Sequence, residues 1–429
     1  MILGLSALFV MLALVMLGVP LAFALMGVSI VVVYLQTGAS FALSLFTVFP
    51  REILGNFSYS VVPMFILMGQ LAGELGLAEH GYTVARRWLT FSRGGVLSAT
   101  FGASAIFAAI SGSSIASAGF FAKITVPELE RYGYDKKLGL GAIAAAGSLA
   151  TLIPPSIMMV IFAMMTETSV GGLLIGGIIP GIVLTALMIG LLEVIGRVKP
   201  NLIPPMTEHV SWRDRIGSIS RIWPIGLTFV MIFGGIYAGF FTPTGAGAIG
   251  AFTVFLIALQ KRTGLKRIVG TLKETVLVTS QVFFVVLGGI LFSKMIALSG
   301  MVGNIITATS GLPEPAVVVI VIAIYLVAGA VLDPVSMVVV SVPFTFPLLL
   351  ALGFHPIQIG IMVIVLVEAA VITPPVGFNC YIVASAAKVD PMVVFRGMIP
   401  YFFVILLMIG LIVIFPQLSV WLPSTMLSR

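Results

Sequence analysis

Ala150-Thr151-Leu152-Ile153-Pro154-Pro155-Ser156 returns 220 positions later as Ala370-Val371-Ile372-Thr373-Pro374-Pro375-Val376. Two consecutive prolines in an apolar stretch stop a helix from running through. Each lacks a backbone N–H, and its ring clashes with the carbonyl four residues earlier. The correspondence extends outward at the same spacing. Pro127 matches Pro347, Gly133 matches Gly353, Pro180 matches Pro400, and Met188-Ile189-Gly190 matches Met408-Ile409-Gly410. No gap is needed anywhere between Pro127 and Gly190. Most matched positions are helix breakers, so the two halves share a pattern of broken helices. In a membrane protein, paired interruptions in corresponding halves point to a transport site.

Composition demands a membrane. The chain is 60% hydrophobic and 9% charged, against about 25% charged in ordinary soluble domains. Its mean hydropathy is +1.21. Apolar runs recur from end to end, and about 20 such residues cross the hydrocarbon core. The first residues lack a basic start and a small-residue cleavage site, so no cleaved signal peptide is expected. One cysteine, Cys380, excludes an internal disulfide and a cysteine-rich metal site. His80, His209 and His355 sit in no metal-binding spacing. The net charge of +7 lies in loops, which fits the positive-inside rule rather than nucleic-acid binding.

The fold expected is an all-α polytopic membrane protein of two inverted-topology repeats. The first repeat takes residues 1–200, with spans at 2–17, 20–35 and 61–78, a re-entrant hairpin at 95–130, a broken span at 138–165 and a span at 171–195. Residues 201–221 form a cytoplasmic linker carrying Pro204-Pro205, Arg213, Arg215 and Arg221. The second repeat takes 222–429, with spans at 222–241, 244–259 and 276–299, a hairpin at 316–350, a broken span at 357–387 and a span at 393–422. Each hairpin limb of about 16 residues gives roughly 24 Å of helix, short for a span. A small polar tip such as Ser111-Gly112-Ser113-Ser114 is costly in lipid, so the hairpins are read as re-entrant. Segments 41–56 and 260–273 read as interfacial arms, the second basic enough (Lys261, Arg262, Lys266, Arg267) to meet anionic lipid heads.

Charge sets the orientation. Arg86, Arg87, Arg93, Arg131, Lys136 and Lys137 flank the first hairpin, whereas 300–315 and 351–356 around the second carry no Lys or Arg. The first hairpin therefore enters from the cytoplasm and the second from outside. Five full spans per half, an odd number, invert the second copy in the same sense and place both termini on the periplasmic side.

The breaks suggest the chemistry. Pro154-Pro155 would free the carbonyls of Ala150 and Thr151, and Pro374-Pro375 those of Ala370 and Val371. Such carbonyls, with hydroxyls, suit a small hard cation such as Na⁺. Gly147, Ser148, Thr151 and Ser156 surround the first break; Thr373, Gly377 and Asn379 surround the second. Ser111, Ser113 and Ser114 form one hairpin tip, Asp333 and Ser336 the other. Helix N-termini there favour an anion.

Several residues admit more than one reading. Asp333 binds Na⁺, carries a proton or caps the helix beginning near Pro334. Glu368 faces the bundle interior or pairs with a cation. Lys294 holds a substrate carboxylate or snorkels to the outer interface, and Lys123 snorkels toward the cytoplasm. There is no Walker loop, and Ser111-Gly112-Ser113-Ser114 has no neighbouring His or Lys to make it a nucleophile. An ATP motor and an enzyme are both disfavoured.

Ile153-Pro154-Pro155-Ser156, the Ser111–Ser114 tip, Leu332-Asp333-Pro334 and Ile372-Thr373-Pro374-Pro375-Val376-Gly377-Phe378-Asn379 together resemble the large membrane subunit of TRAP transporters. These are tripartite, ATP-independent systems of the bacterial inner membrane that depend on a periplasmic binding protein. The resemblance covers essentially the whole chain. It implies a Na⁺-driven elevator importing an organic anion, such as a C4-dicarboxylate, sialic acid or another sugar acid. It implies two partners, a small four-helix membrane subunit and a soluble periplasmic substrate-binding protein. Its sodium sites fall at Ser111, Gly112, Ser113 and Ser114 with Gly147, Ala150, Thr151 and Pro154, and at Gly329, Asp333 and Pro334 with Ala370, Thr373, Pro374 and Gly377. Substrate would meet Ser113, Ser114, Asp333, Ser336, Asn379 and Lys294. No cofactor is implied beyond Na⁺ as the coupling ion, and no transition metal. Family members often carry Glu-Ile-Gly ahead of the second proline pair; here the run is Val367-Glu368-Ala369-Ala370. A stand-alone sodium/carboxylate symporter is the alternative, and a channel a further rival.

Overall fold

A computed structural model describes residues 2–89, 91–204 and 210–426. Pro205 and His209 of the predicted linker, with the outermost residues of the predicted repeats, lie outside these. The described residues form helices joined by turns, and no strand occurs among them. Polar caps set many helix starts. Thr242, Asp333, His355 and Asp390 each accept a main-chain N–H and are each followed by a proline at the first helical position. That proline has no N–H to leave unpaired, and its φ already suits the helix.

Five helices among the described residues are long and apolar enough to cross a membrane, and up to eight spans result if each of three sharply bent helix pairs counts as one. The first hairpin consists of Gly95–Ser111 and Ser114–Tyr132, turning at Gly112. The second consists of Glu314–Ala328 and Pro334–Ala351. Pro334–Ala351 has the length and composition of a span, yet 67% of its apolar window is buried inside the protein, against 28–44% for the other four long helices. A helix so enclosed rests on protein rather than lipid, which suits a re-entrant limb.

The first broken span runs Lys136–Gly147, Leu149–Leu152 and Ile157–Thr166, bent by 47° across the prolines. The second runs Pro356–Val371 and Phe378–Ala387. Both Pro-Pro bonds are cis.

The two halves interlock reciprocally. Phe378–Ala387, the far part of the second broken span, packs on Ser114–Tyr132 and Lys136–Gly147 of the first half. Ile157–Thr166, its counterpart, packs on Pro334–Ala351 and Pro356–Val371 of the second half. Outside this core the exchange repeats. Leu21–Thr37 packs on Leu265–Leu298, and Pro243–Gln260 packs on Val61–Glu74. Each contact has its partner under exchange of halves, as a twofold relation between two copies requires. Two glycines 220 positions apart seat the outer layer on the hairpins. A Cβ on Gly69 would stand 2.9 Å from the Ser111 carbonyl oxygen, and one on Gly289 would strike Val339.

Element boundaries depart from the sequence reading where no breaker is present. The basic arm at 260–273 and the span at 276–299 are one 34-residue helix, Leu265–Leu298. Nothing in Lys273-Glu274-Thr275-Val276 interrupts it. In the first half the arm Ala39–Gly55 does part from Phe57–Glu74, by 55°, because the Asn56 side chain accepts the Ser58 N–H and starts a new turn. The span read as 61–78 stops at Glu74; Gly76, at φ +63°, turns the chain into the amphipathic helix Leu77–Leu89. The last span, read as 393–422, divides into Pro391–Ile414 and Gln417–Ser424 around Pro416.

Candidate functional site

Each hairpin tip touches the broken span of its own half. At the first tip Gly112 turns the chain with φ +67°, a conformation that a Cβ makes costly. A Cβ there would also come within 2.7 Å of the Pro155 carbonyl oxygen and 3.6 Å of the Ile157 nitrogen. The N-terminus of the helix after the break therefore meets the N-terminus of the second hairpin limb. On the other side of the tip, a Cβ on Gly147 would lie 2.9 Å from the Ser114 carbonyl oxygen. Ser113 caps the second limb, its hydroxyl accepting the Ala116 N–H at 3.3 Å. Ser156 caps Ile157–Thr166 in the same way, accepting from Met159. In the second half, a Cβ on Gly329 would sit 2.5 Å from the Ala370 Cβ. Ala370 thus holds the end of the first limb against the second broken span.

The candidate residues of each half are accordingly brought together, with two qualifications to the sequence reading. Asp333 acts as a cap: one carboxylate oxygen accepts the N–H groups of Val335 (3.0 Å) and Ser336 (3.1 Å), and the other accepts the Ser336 hydroxyl. The carbonyl of Ala370, expected to be freed by the prolines, is instead occupied. Thr373 donates to it from both its N–H (3.1 Å) and its hydroxyl (2.8 Å). A threonine just before the break can fold back onto the last helical turn.

The strongest feature lies where the halves cross. Glu368 is buried in the second broken span, and one of its oxygens accepts the Thr151 hydroxyl of the first. The hydroxyls of Ser148 and Ser114 stand beside the same carboxyl. Ser148 is the residue 220 positions before Glu368, so a symmetry-related pair meets face to face, which places it on the twofold. Asn379 reaches across from the second break to donate to the Ala144 carbonyl at 3.4 Å. Three buried oxygens in this region, Ser148 Oγ, Glu368 Oε2 and Asn379 Oδ1, have no hydrogen-bond partner. Unpaired polar atoms at such depth are costly, and all three can accept from or coordinate a cation.

Lys294 is not brought to the tips. It lies over the Phe49 ring at 5.4 Å, in a crevice of about 300 Å³ that also holds Glu52 and Glu167, between the arm Ala39–Gly55 and the end of the first broken span. One contributor escaped sequence reading. Ser104, buried in the first limb, donates to the Ala146 carbonyl at 2.5 Å and steadies the turn before the break. Nothing in the sequence separates it from serines that only pack.

Fold and site together define an all-helical, multi-pass membrane protein whose two halves cross at paired broken helices. The chain belongs to the family of the tripartite ATP-independent periplasmic transporter, DctM component, whose family model matches residues 8–418. It is therefore a transport component of the bacterial inner membrane. It is similar to the C4-dicarboxylate TRAP transporter large permease protein DctM of Vibrio cholerae, with 31% identity over 96% of this chain and 95% of that one. The sialic acid TRAP transporter large permease protein SiaM of the same organism is 28% identical over 98% and 99% of the two chains. The ectoine TRAP transporter large permease protein TeaC of Halomonas elongata is 29% identical over 96% and 97%. Among solved structures, the YdaH transporter of Alcanivorax borkumensis shares the fold, with a TM-score of 0.53 at 16% identity, covering 90% of each chain.

Proposed function

We propose that this chain is the large membrane subunit of a Na⁺-coupled importer of an organic anion, fed by a periplasmic substrate-binding protein and completed by a small membrane subunit. The observation that carries the reading is the crossing of the broken spans, with its three unpartnered buried oxygens. Hard oxygen donors, neutral except for one carboxylate, suit Na⁺. The helix N-termini meeting at Gly112 supply partial positive charge for an anion beside them. Relatives of similar identity are named for C4-dicarboxylates, sialic acid and ectoine, and the substrate proposed here is a carboxylate-bearing solute of that range.

In this reading the hairpins and broken spans move as one unit, because the halves interlock through them. The outer helices form the frame, and Gly69 and Gly289 give the moving unit a smooth track. Both termini face the periplasm. Na⁺ and substrate stabilise the same closed-tip state, so each raises the affinity for the other. The test is uptake of radiolabelled succinate, sialate or ectoine into vesicles holding this chain, its membrane partner and its binding protein. An inward Na⁺ gradient is expected to drive accumulation, and a K⁺ gradient of equal size is not. Equal uptake under both gradients would overturn the reading.

A further inference from the structure

We propose that Glu368 is a ligand of the first-half cation site, a carboxylate supplied across the twofold by the opposite half. The inference deepens the proposed Na⁺-coupled function and rests on it. Four observations support it. Glu368 belongs to the second broken span, yet its hydrogen bond goes to Thr151 of the first. The other hydroxyls beside it, Ser148 and Ser114, come from the first break and the first hairpin tip. It is 1% exposed, and no Lys or Arg among the described residues pairs with it. Its second oxygen, Oε2, and Ser148 Oγ make no hydrogen bond of good geometry, although the Ser148 and Ser114 hydroxyls stand within reach of the carboxyl.

The second half has no equivalent. The position 220 residues before Glu368 holds Ser148, so the twofold is broken in charge at the point where it is closest in space. A carboxylate at that depth needs a compensating charge. A cation held between Glu368 Oε2 and the Ser148 and Ser114 oxygens supplies one, while the first carboxylate oxygen holds the Thr151 hydroxyl in place. Binding would then draw the Ser114 tip of one half onto the broken helix of the other. The first-half site becomes dependent on the second half through one side chain.

The experiment uses the purified full chain in detergent. Thermal unfolding is followed as NaCl replaces choline chloride at constant ionic strength, for wild type, Glu368→Gln and Glu368→Asp. Wild type is expected to gain stability with Na⁺. Glu368→Gln, which keeps the shape and an acceptor for Thr151, is expected to raise the Na⁺ midpoint at least tenfold without lowering the melting temperature in choline. Glu368→Asp, with the charge retained, is expected to fall between. A wild-type midpoint in Glu368→Gln overturns the inference while leaving Na⁺ coupling standing. A wild-type chain indifferent to Na⁺ overturns both together. If Glu368→Gln does not survive purification, the Na⁺ midpoint and Na⁺/Li⁺ preference of Glu368→Asp decide: a change in either supports the inference, and wild-type values of both overturn it.

Discussion

Asp333 occupies in the second hairpin the place that Ser113 occupies in the first, 220 positions earlier, and both cap the second limb through a side-chain oxygen. The caps differ in strength. Ser113 accepts one N–H, whereas Asp333 accepts two and the Ser336 hydroxyl as well. With both carboxylate oxygens committed, Asp333 shapes the tip rather than standing free as a ligand. Asp333→Ala is expected to cost about 1 kcal/mol, the usual worth of an N-cap, and to raise the Na⁺ concentration for half-maximal uptake. Asp333→Ser installs the first hairpin's own solution and is expected to recover most of both. Equal loss of Na⁺ dependence in the two variants, measured in vesicles, would show that the charge itself is required.

Gly112 and Gly133 offer a matched pair for separating backbone strain from contact. Both have positive φ, +67° and +69°. A Cβ on Gly133 meets nothing within 4 Å, whereas one on Gly112 meets the Pro155 carbonyl. Gly133→Ala is expected to cost only the left-handed penalty, roughly 1–2 kcal/mol. Gly112→Ala pushes the first tip off the first break and is expected to lose Na⁺-dependent stabilisation as well. Melting temperatures with and without Na⁺ separate the two effects, and similar behaviour of the two variants would remove the tip–break contact from the mechanism.

The sequence carried the fold well where prolines and glycines punctuate it. The proline pairs, the hairpin turns at Gly112 and Asp333 and the paired turns at Gly133 and Gly353 are local events that one residue type commands. Boundaries were less legible where a charged arm continues into a span, as at Lys273-Glu274-Thr275, since charge does not end a helix. The site was legible half by half. The meeting of Glu368 with Thr151 and Ser148 was not, because a side chain that crosses between repeats obeys no period within either. Lys294 misled for a related reason. Its place in an apolar run says how deep it lies, not which neighbour it faces.

His80, in the amphipathic helix Leu77–Leu89 that packs along the first hairpin limb and is not itself a span, gives a pH test. Burial first, and then the Lys261 charge, hold its imidazolium below the ordinary value of 6.5; Arg221 acts in the same sense and Glu79 against it. The folded value being depressed, the unfolded chain takes up the proton first as pH falls. Stability is therefore unaffected by this group above about pH 6.5 and is lost progressively as pH falls from there through the lower folded value. Unfolding followed between pH 7.5 and 5.5 is expected to show a steeper loss for wild type than for His80→Gln. Parallel curves would mean that the imidazole is protonated equally in both states.

The inverted arrangement can be tested from the two caps themselves. Cys380 is buried, so its replacement by alanine gives a background free of thiols into which Ser113→Cys or Asp333→Cys is introduced singly. Arg86, Arg87, Arg131 and Lys136 gather around the first hairpin, while the loops flanking the second have no basic residue. Positive charge stays on the cytoplasmic side. A membrane-impermeant maleimide is therefore expected to reach Ser113→Cys in inside-out vesicles and Asp333→Cys in right-side-out vesicles. If the hairpins travel with the broken spans, Na⁺ and substrate together should slow both reactions, since closure of each tip onto its own break, Gly112 on Pro155 and Gly329 on Ala370, buries the label site. Reaction of both positions from one side only, in every ionic condition, would mean that the copies are parallel and that the reciprocal packing has another origin.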